Sequence, residues 1–406
     1  MPIETLESYD ISEARGFLCD YDATAVGLSG DWARAREVAM RLPQMLTTGR
    51  VRELLRRDLP KILEGDVEAL SDAQARAAMV HYSFMVQSYV WGEADAASVL
   101  PEVLARPICA LAKKLGQQPL LPYSGYVLDN WGLHDPSGPI DLSNIYVIQN
   151  FLGGQDENWF ILVHVAIEAR AGAALVRIKA VIDGAESGDA AKVTKLLNEI
   201  AVVWSDLKDI FDRMPERCDP YAYFERVRPY IHGWKDNPAL PNGVMYEGVE
   251  AHNGAAQSYR GQTGSQSSIV PCMDALLGIG HAADPMKAYL DELHIYRPPG
   301  HRRFIDDLRN HSGLRDFVIT AKDADLSRAY NANVQAVADF RSRHLEYAAS
   351  YINKQSRNAA GNDTDVGTGG TPFMKYLKKH RDETQANLII VGQEAAQRGS
   401  FVNSAE

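Results

Sequence analysis

Eleven histidines stand in this sequence, and His344 differs from the rest in its surroundings. It lies in NANVQAVADFRSRHLEYAASYI, which reads as one uninterrupted helix. Val334, Val337, Arg341, His344, Ala348 and Tyr351 recur every three or four residues and therefore share one face. An arginine on an apolar face needs an anion, and an imidazole beside it can be a metal ligand. A haem would supply both partners, iron for His344 and a propionate for Arg341. Spacing leaves a second reading open, a core histidine bonded to a backbone carbonyl.

His164 is the next candidate. In NWFILVHVAIEARAGAALVRI it shares a face with Phe160 and lies near Ile161. The alanines and glycine that follow would admit a neighbouring helix or a flat ligand at close range. Arg228 follows Tyr221, Tyr223 and Phe224, and an arginine among aromatics can clamp a carboxylate bidentately while the rings form an apolar wall. An exposed arginine stacked on tyrosine is the alternative, and Pro229 biases Arg228 away from helical geometry. GTGGT (367 to 371) and RGQTGSQSS (260 to 268) lack the lysine and the preceding strand of a phosphate loop. They could instead set backbone amides and hydroxyls beside a ligand. No HExxH, His-x-His, carboxylate cluster, nucleophile elbow or catalytic triad is present.

The elements that must position these residues are helical almost throughout. Periodicity predicts two helices over 31 to 64, split near Pro43, then helices over 72 to 91, 101 to 116, 158 to 183, 190 to 213, 219 to 231, 267 to 282, 301 to 309 and 325 to 354. A last helix is expected from Pro372. Strand patterns are scarce, so the predicted class is all-α. The stretch GLHDPSGPIDLS (132 to 143) reads as a connector between a smaller N-terminal domain, residues 1 to 143, and a larger C-terminal one, residues 144 to 406. Residues 353 to 371 are polar, glycine-rich and long for a loop, as a mobile lid would be.

Composition narrows the partners. The 406 residues are 46% hydrophobic and 23% charged, ordinary for a globular protein able to enclose a cofactor. A net charge of -11 repels phosphate backbones and anionic lipid, so neither nucleic acid nor membrane is an expected partner. The apolar runs, such as Phe160 to Val163, look too short to cross a bilayer. Cys19, Cys109, Cys218 and Cys272 form no CxxC pair, which suits a reducing cytoplasm, and MPIETLESYD lacks the apolar core of a signal peptide.

Seven segments in order carry a resemblance. They are SYVWGE (88 to 93), LPYSGYVLDNW (121 to 131), RPYIHGWKDNPALPNGVMYEGV (228 to 249), RGQTGSQSSIVPCMDALLGI (260 to 279), YRPPGHRRF (296 to 304), FRSRHL (340 to 345) and GTGGT (367 to 371). Together they span about three-quarters of the chain and resemble the indoleamine 2,3-dioxygenase family. The resemblance implies haem b, ferrous when active, held between the two domains. It implies insertion of both atoms of O2 across the C2–C3 bond of L-tryptophan or a close analogue. Tryptophan would yield N-formylkynurenine, the first step of the kynurenine pathway.

Residue by residue, the resemblance makes His344 the iron ligand, Arg341 the partner of a propionate and Asp274 a buried acid behind the haem. Gln262, Thr263 and Gly264 would lie over the haem. Tyr123, Tyr126, Val127, Phe160, Ile161, Tyr223 and Phe224 would line the indole pocket. Arg228 and Thr368 would hold the substrate carboxylate, a propionate its ammonium, and His164 the indole N–H. Three departures bear on substrate choice. His164 replaces a serine of the animal enzymes, whereas tryptophan 2,3-dioxygenases use a distal histidine. Tyr126 and Tyr223 add hydroxyls where the animal pocket has cysteine and phenylalanine, and Gln262 replaces a glycine. The resemblance further implies a monomer and an electron donor that keeps the iron reduced. Other readings are a haem enzyme of this fold acting on another indole or pyrrole, and a non-catalytic haem-binding sensor.

Overall fold

The computed structural model describes residues 3–357, 367–368 and 373–390. It is all-α, as periodicity predicts. Among the described residues its sheet is two short pairs, Val99–Leu100 parallel to Met245–Tyr246, and Trp131–Leu133 antiparallel to Ile145–Val147. The glycine- and proline-rich stretch 132 to 143 lies mostly in the turn of this second pair. There Asp135 and Asp141 accept hydrogen bonds from Ser137 and Ser143.

Three helices frame the centre. Gln155–Glu186 turns through Gly188, at φ 75°, into Ala190–Phe211, which is capped by Asp189 accepting from the Lys192 N–H at 3.0 Å. Ala324–Tyr351, capped by Asp323 on the Leu326 N–H at 2.9 Å, packs against the second of these and carries His344. The helix Phe373–Gln385 lies along it in turn, and Pro372, the expected helix start, is outside the described residues. Asp72–Trp91, opened by a reciprocal Ser71–Gln74 capping box, pairs with Glu102–Leu115 in the N-terminal part.

The helix Gln155–Glu186 is long and apolar enough to cross a membrane by length and composition, which inspection of short apolar runs did not reveal. Here it is the core helix, with 72% of its most apolar window buried. A helix apolar on all sides must be covered on all sides. One cover is unexpected. Glycine at 172 accommodates the loop Ser12–Gly16 rather than a flat ligand: a Cβ on Gly172 would lie 2.2 Å from the Glu13 carbonyl oxygen. Gly16 sits at φ +57°, where a Cβ would meet the Glu168 carbonyl oxygen at 1.9 Å.

Other boundaries shift for local reasons. Residues 31 to 64 hold three helices, Gly30–Ala39, Leu42–Leu46 and Val51–Asp58, because Pro43 starts a helix instead of dividing two. Pro285–His294 and Leu314–Ala321 were not predicted; the first follows an Asp284 cap and a proline in its first turn. The stretch read as one helix over 219 to 231 is Pro220–Ala222, then a π-turn Tyr223–Val227, then a 3-10 turn Arg228–Ile231. Pro229 cannot donate to the ladder, and the Arg228 N–H reaches back five residues to the Tyr223 oxygen.

Candidate functional site

Two cavities of about 350 and 140 Å³ meet beneath the core helices and share His164, Phe211, Gly264, Ser265, Met286, His344 and Leu377 in their walls. They form one divided space, and His344 and His164 line both of its parts. The larger part adds Tyr123, Glu168, Asp274, His281, Arg297, Phe340, Arg341 and His380. The smaller adds Phe160, Tyr223, Gln262, Thr263, Tyr347, Tyr351 and Thr368.

Burial, helped by the nearness of His164, pushes the His344 imidazole down to about 4, so it is neutral with a free lone pair at neutral pH. No hydrogen bond ties either of its ring nitrogens among the described residues. The core-histidine reading therefore finds no carbonyl partner. His164 does have one. Its Nδ1 lies 2.7 Å from the Phe160 carbonyl oxygen, which can only accept, so Nδ1 carries the proton. Burial also lowers its basicity. A neutral ring with the proton on Nδ1 leaves Nε2 as an acceptor.

Arg341 has a protein anion. Its guanidinium binds the Asp274 carboxylate at 2.6 and 3.1 Å and also donates to the Thr384 hydroxyl. Burial opposes the charge on Asp274, but Arg341 and His281 outweigh it and hold the carboxyl at about 2. The inference from a buried arginine to a propionate thus loses its premise, since Asp274 already balances Arg341. The signal for this pair, an Asp–Arg match 67 residues apart, is invisible to periodicity.

Two π-turns shape the aromatic wall. Ser124–Leu128 carries Tyr126 and Val127, and Tyr223–Val227 carries Tyr223 and Phe224. Extra-residue turns of this kind recur at functional sites because they re-aim side chains. Phe160 stands 4.7 Å from both the His164 and the Tyr223 rings. Tyr126 stacks on Phe84 at 5.7 Å. Tyr126, Val127, Ile161, Phe224 and Arg228 are buried beside the space without lining it. The Arg228 guanidinium lies over the Phe224 ring at 5.3 Å.

Thr368 lies in the wall of the smaller cavity, and its hydroxyl donates to the Gln262 carbonyl at 2.7 Å. Its own carbonyl accepts from the Gly233 N–H at 3.2 Å. This contact needs glycine at 261, where a Cβ would stand 2.4 Å from the Thr368 oxygen. Of the lid expected over 353 to 371, Asn353–Arg357 is a 3-10 helix, and 358 to 366 and 369 to 371 lie outside the described residues.

Sequence reasoning missed Glu168 and Arg297. Glu168 is wholly buried, accepts from the Tyr123 and Ser267 hydroxyls at 2.8 and 2.7 Å, and is pushed up to about 7 by that burial. Burial draws Arg297 down to about 10 while it donates to the Ser265 and Ser267 carbonyls. Nothing in helical spacing marks a lone glutamate one turn after His164 as buried.

A neutral, unbonded imidazole in an apolar-walled space, with small residues 264 and 265 beside it, fits a haem ligand. The family model described as indoleamine 2,3-dioxygenase matches residues 5–387. The chain belongs to the indoleamine 2,3-dioxygenase family. It is 34% identical over 397 residues to indoleamine 2,3-dioxygenase 1 of Rattus norvegicus, covering 95% of this chain and 96% of that protein. It is 31% identical over 440 residues to the indoleamine 2,3-dioxygenase of Saccharomyces cerevisiae, covering 97% and 96%. A third relative within reach of the family is a myoglobin of Haliotis madaka, 28% identical over 387 residues and covered over 94% and 98%.

Proposed function

We propose that this chain is a haem-dependent dioxygenase that opens the indole ring of L-tryptophan or a close analogue, producing N-formylkynurenine from tryptophan. The observation that carries the reading is that His344, neutral and unbonded, and His164, whose tautomer is fixed by the Phe160 carbonyl, line one shared space.

His344 holds the iron of haem b through its free lone pair. When bound, ferrous haem supplies the dioxygen chemistry; the protein binds, orients and dries the site. Phe160 and Tyr223 pack the indole ring. Nε2 of His164 accepts the indole N–H and fixes the ring's orientation. Arg228, buried beside Phe224, is the cation for the substrate carboxylate. Thr368 gives its hydroxyl proton to Gln262, so in this arrangement it offers lone pairs. Those suit an ammonium, and holding a carboxylate requires Thr368 to turn from Gln262. Arg341 keeps Asp274 as its anion. An electron donor keeps the iron reduced, and the working form is a cytoplasmic monomer.

The myoglobin relative favours a second reading, a haem protein without turnover. One assay separates the two. Reduced, haem-loaded protein given tryptophan and O2 is expected to form N-formylkynurenine with one O2 consumed per product. Oxygen binding without product, from tryptophan or other indoles, would favour the carrier. Arg228→Ala is expected to raise KM for tryptophan by a lost charged contact, about 2–3 kcal/mol, and to leave indole turnover nearly unchanged. Equal effects on both substrates would remove Arg228 from its role.

A further inference from the structure

We propose that His281, His380 and Glu383 form a divalent-metal site, of the zinc type, that ties the C-terminal helix to the loop after helix Ile269–Leu277. One ligand atom from each residue lies within 4.8 Å of the other two. Two histidines and one carboxylate are a common zinc donor set. The residues come from separate parts of the chain, 281 and 380 to 383, and the two histidines stand in the wall of the larger cavity.

Two observations favour an ion here, an unpartnered buried nitrogen on His380 and the placing of His281 between two carboxylates. The first is His380. It is 4% exposed, and its Nε2 is buried without a hydrogen-bond partner among the described residues. A buried polar atom left unsatisfied is costly, and a metal ion would satisfy it. The second is His281. Its Nδ1 lies 2.8 Å from a Glu383 oxygen and its Nε2 lies 3.3 Å from an Asp274 oxygen. A neutral imidazole has one N–H and can serve only one of these carboxylates. A metal ion on Nδ1, beside the Glu383 oxygen, would put the proton on Nε2, where it faces Asp274.

The surroundings admit the ion. Arg341 lies near His281 at 3.5 Å, but it is spent on Asp274. Lys379 contacts Asp284 and the other Glu383 oxygen, at 3.1 Å for the latter. That leaves the Glu383 oxygen facing His281 for the metal. The two imidazoles stack at 4.2 Å with planes 7° apart. Ligands of one tetrahedral zinc stand about 3.4 Å apart, from bonds of about 2.1 Å. The trio must therefore draw in, chiefly by rotation of His380, which has no bond at Nε2 to lose. Bound, the ion would add a cross-link between the C-terminal helix and the cavity wall, independently of how His344 is used.

The test uses the full-length, haem-loaded protein, stripped with a chelator and dialysed against Zn2+, with zinc and iron counted in the same sample. One tightly held zinc per chain is expected, together with a zinc-dependent rise in Tm. His380→Phe, which keeps a flat stacked ring, and Glu383→Gln should each weaken zinc binding by more than about tenfold. Each should also lose the Tm rise, with folding checked by circular dichroism. Wild-type protein that binds no stoichiometric zinc would overturn the site. Equal binding by all three proteins would assign the zinc to the surface or the haem and overturn it too.

Discussion

At the scale of single residues, the account rests on which nitrogen of each histidine is free. The Phe160 carbonyl takes the Nδ1 proton of His164, so Nε2 can only accept while the ring is neutral. Replacing His164 by serine should therefore cost tryptophan one neutral hydrogen bond, about 0.5–1.5 kcal/mol, and cost N-methyl-tryptophan nothing. The measurement is KM for both substrates in both proteins, and an equal change for the two would contradict this role. Glu168 gives a prediction of a different kind. Its folded value of about 7 lies above the ordinary glutamate value of about 4.3, so between these the folded state binds the extra proton. Stability from this group is full below pH 4.3 or so and declines as pH rises towards about 7. Glu168→Gln keeps a neutral amide in the acid's place and should flatten that part of the urea-unfolding profile between pH 5 and 8 (roughly the ordinary working range). An unchanged slope would mean that Glu168 is ionised in the fold.

At the scale of elements, long helices were the legible part and their cross-links were not. Periodicity placed His344 and Arg341 on one face of a helix now seen as Ala324–Tyr351, and the structure puts both in the cavity wall. It could not show that Arg341 answers to Asp274, because that partner lies on another helix. It failed at the Tyr223–Val227 turn for a local reason: the spacing of a π-turn looks helical, and only the five-residue reach of the Arg228 N–H reveals it. The Asp274–Arg341 pair has a measurable worth. Removing the carboxylate by Asp274→Ala leaves a buried guanidinium uncompensated, and a loss of about 3–5 kcal/mol is expected in urea unfolding. Because Asp274 sits at about 2 when folded, its contribution is present above the ordinary aspartate value and fades only as pH falls from about 4 towards 2. A loss below about 1 kcal/mol would show that water or another anion takes its place. Gly16→Ala tests the loop contact found where sequence reading expected a neighbouring helix or a flat ligand. At φ +57°, with the Glu168 oxygen 1.9 Å from the added carbon, it should release the Ser12–Gly16 loop and lower Tm.

At the scale of the molecule, the class and the family were readable from the sequence, because seven ordered motifs and pervasive helical period both survive without coordinates. The large apolar centre was readable only in part. Periodicity found the helix over 158 to 183, but short apolar runs hid its membrane-like hydropathy; the 32-residue helix is instead wrapped by its neighbours. An apolar core that encloses a space this size is incomplete as a packed interior. Filling it should therefore stabilise the whole fold by mass action.

The most direct measurement is the absorption spectrum and haem content of the purified protein after reconstitution with hemin, wild type beside His344→Ala, each followed by thermal unfolding. The account predicts one haem per wild-type chain, an intense Soret band that shifts on reduction, and a higher Tm than the haem-free protein. His344→Ala should fold by circular dichroism yet keep neither the stoichiometric haem nor the Tm gain. A variant that retains both, with an unaltered spectrum, would contradict the assignment of His344 as the iron ligand.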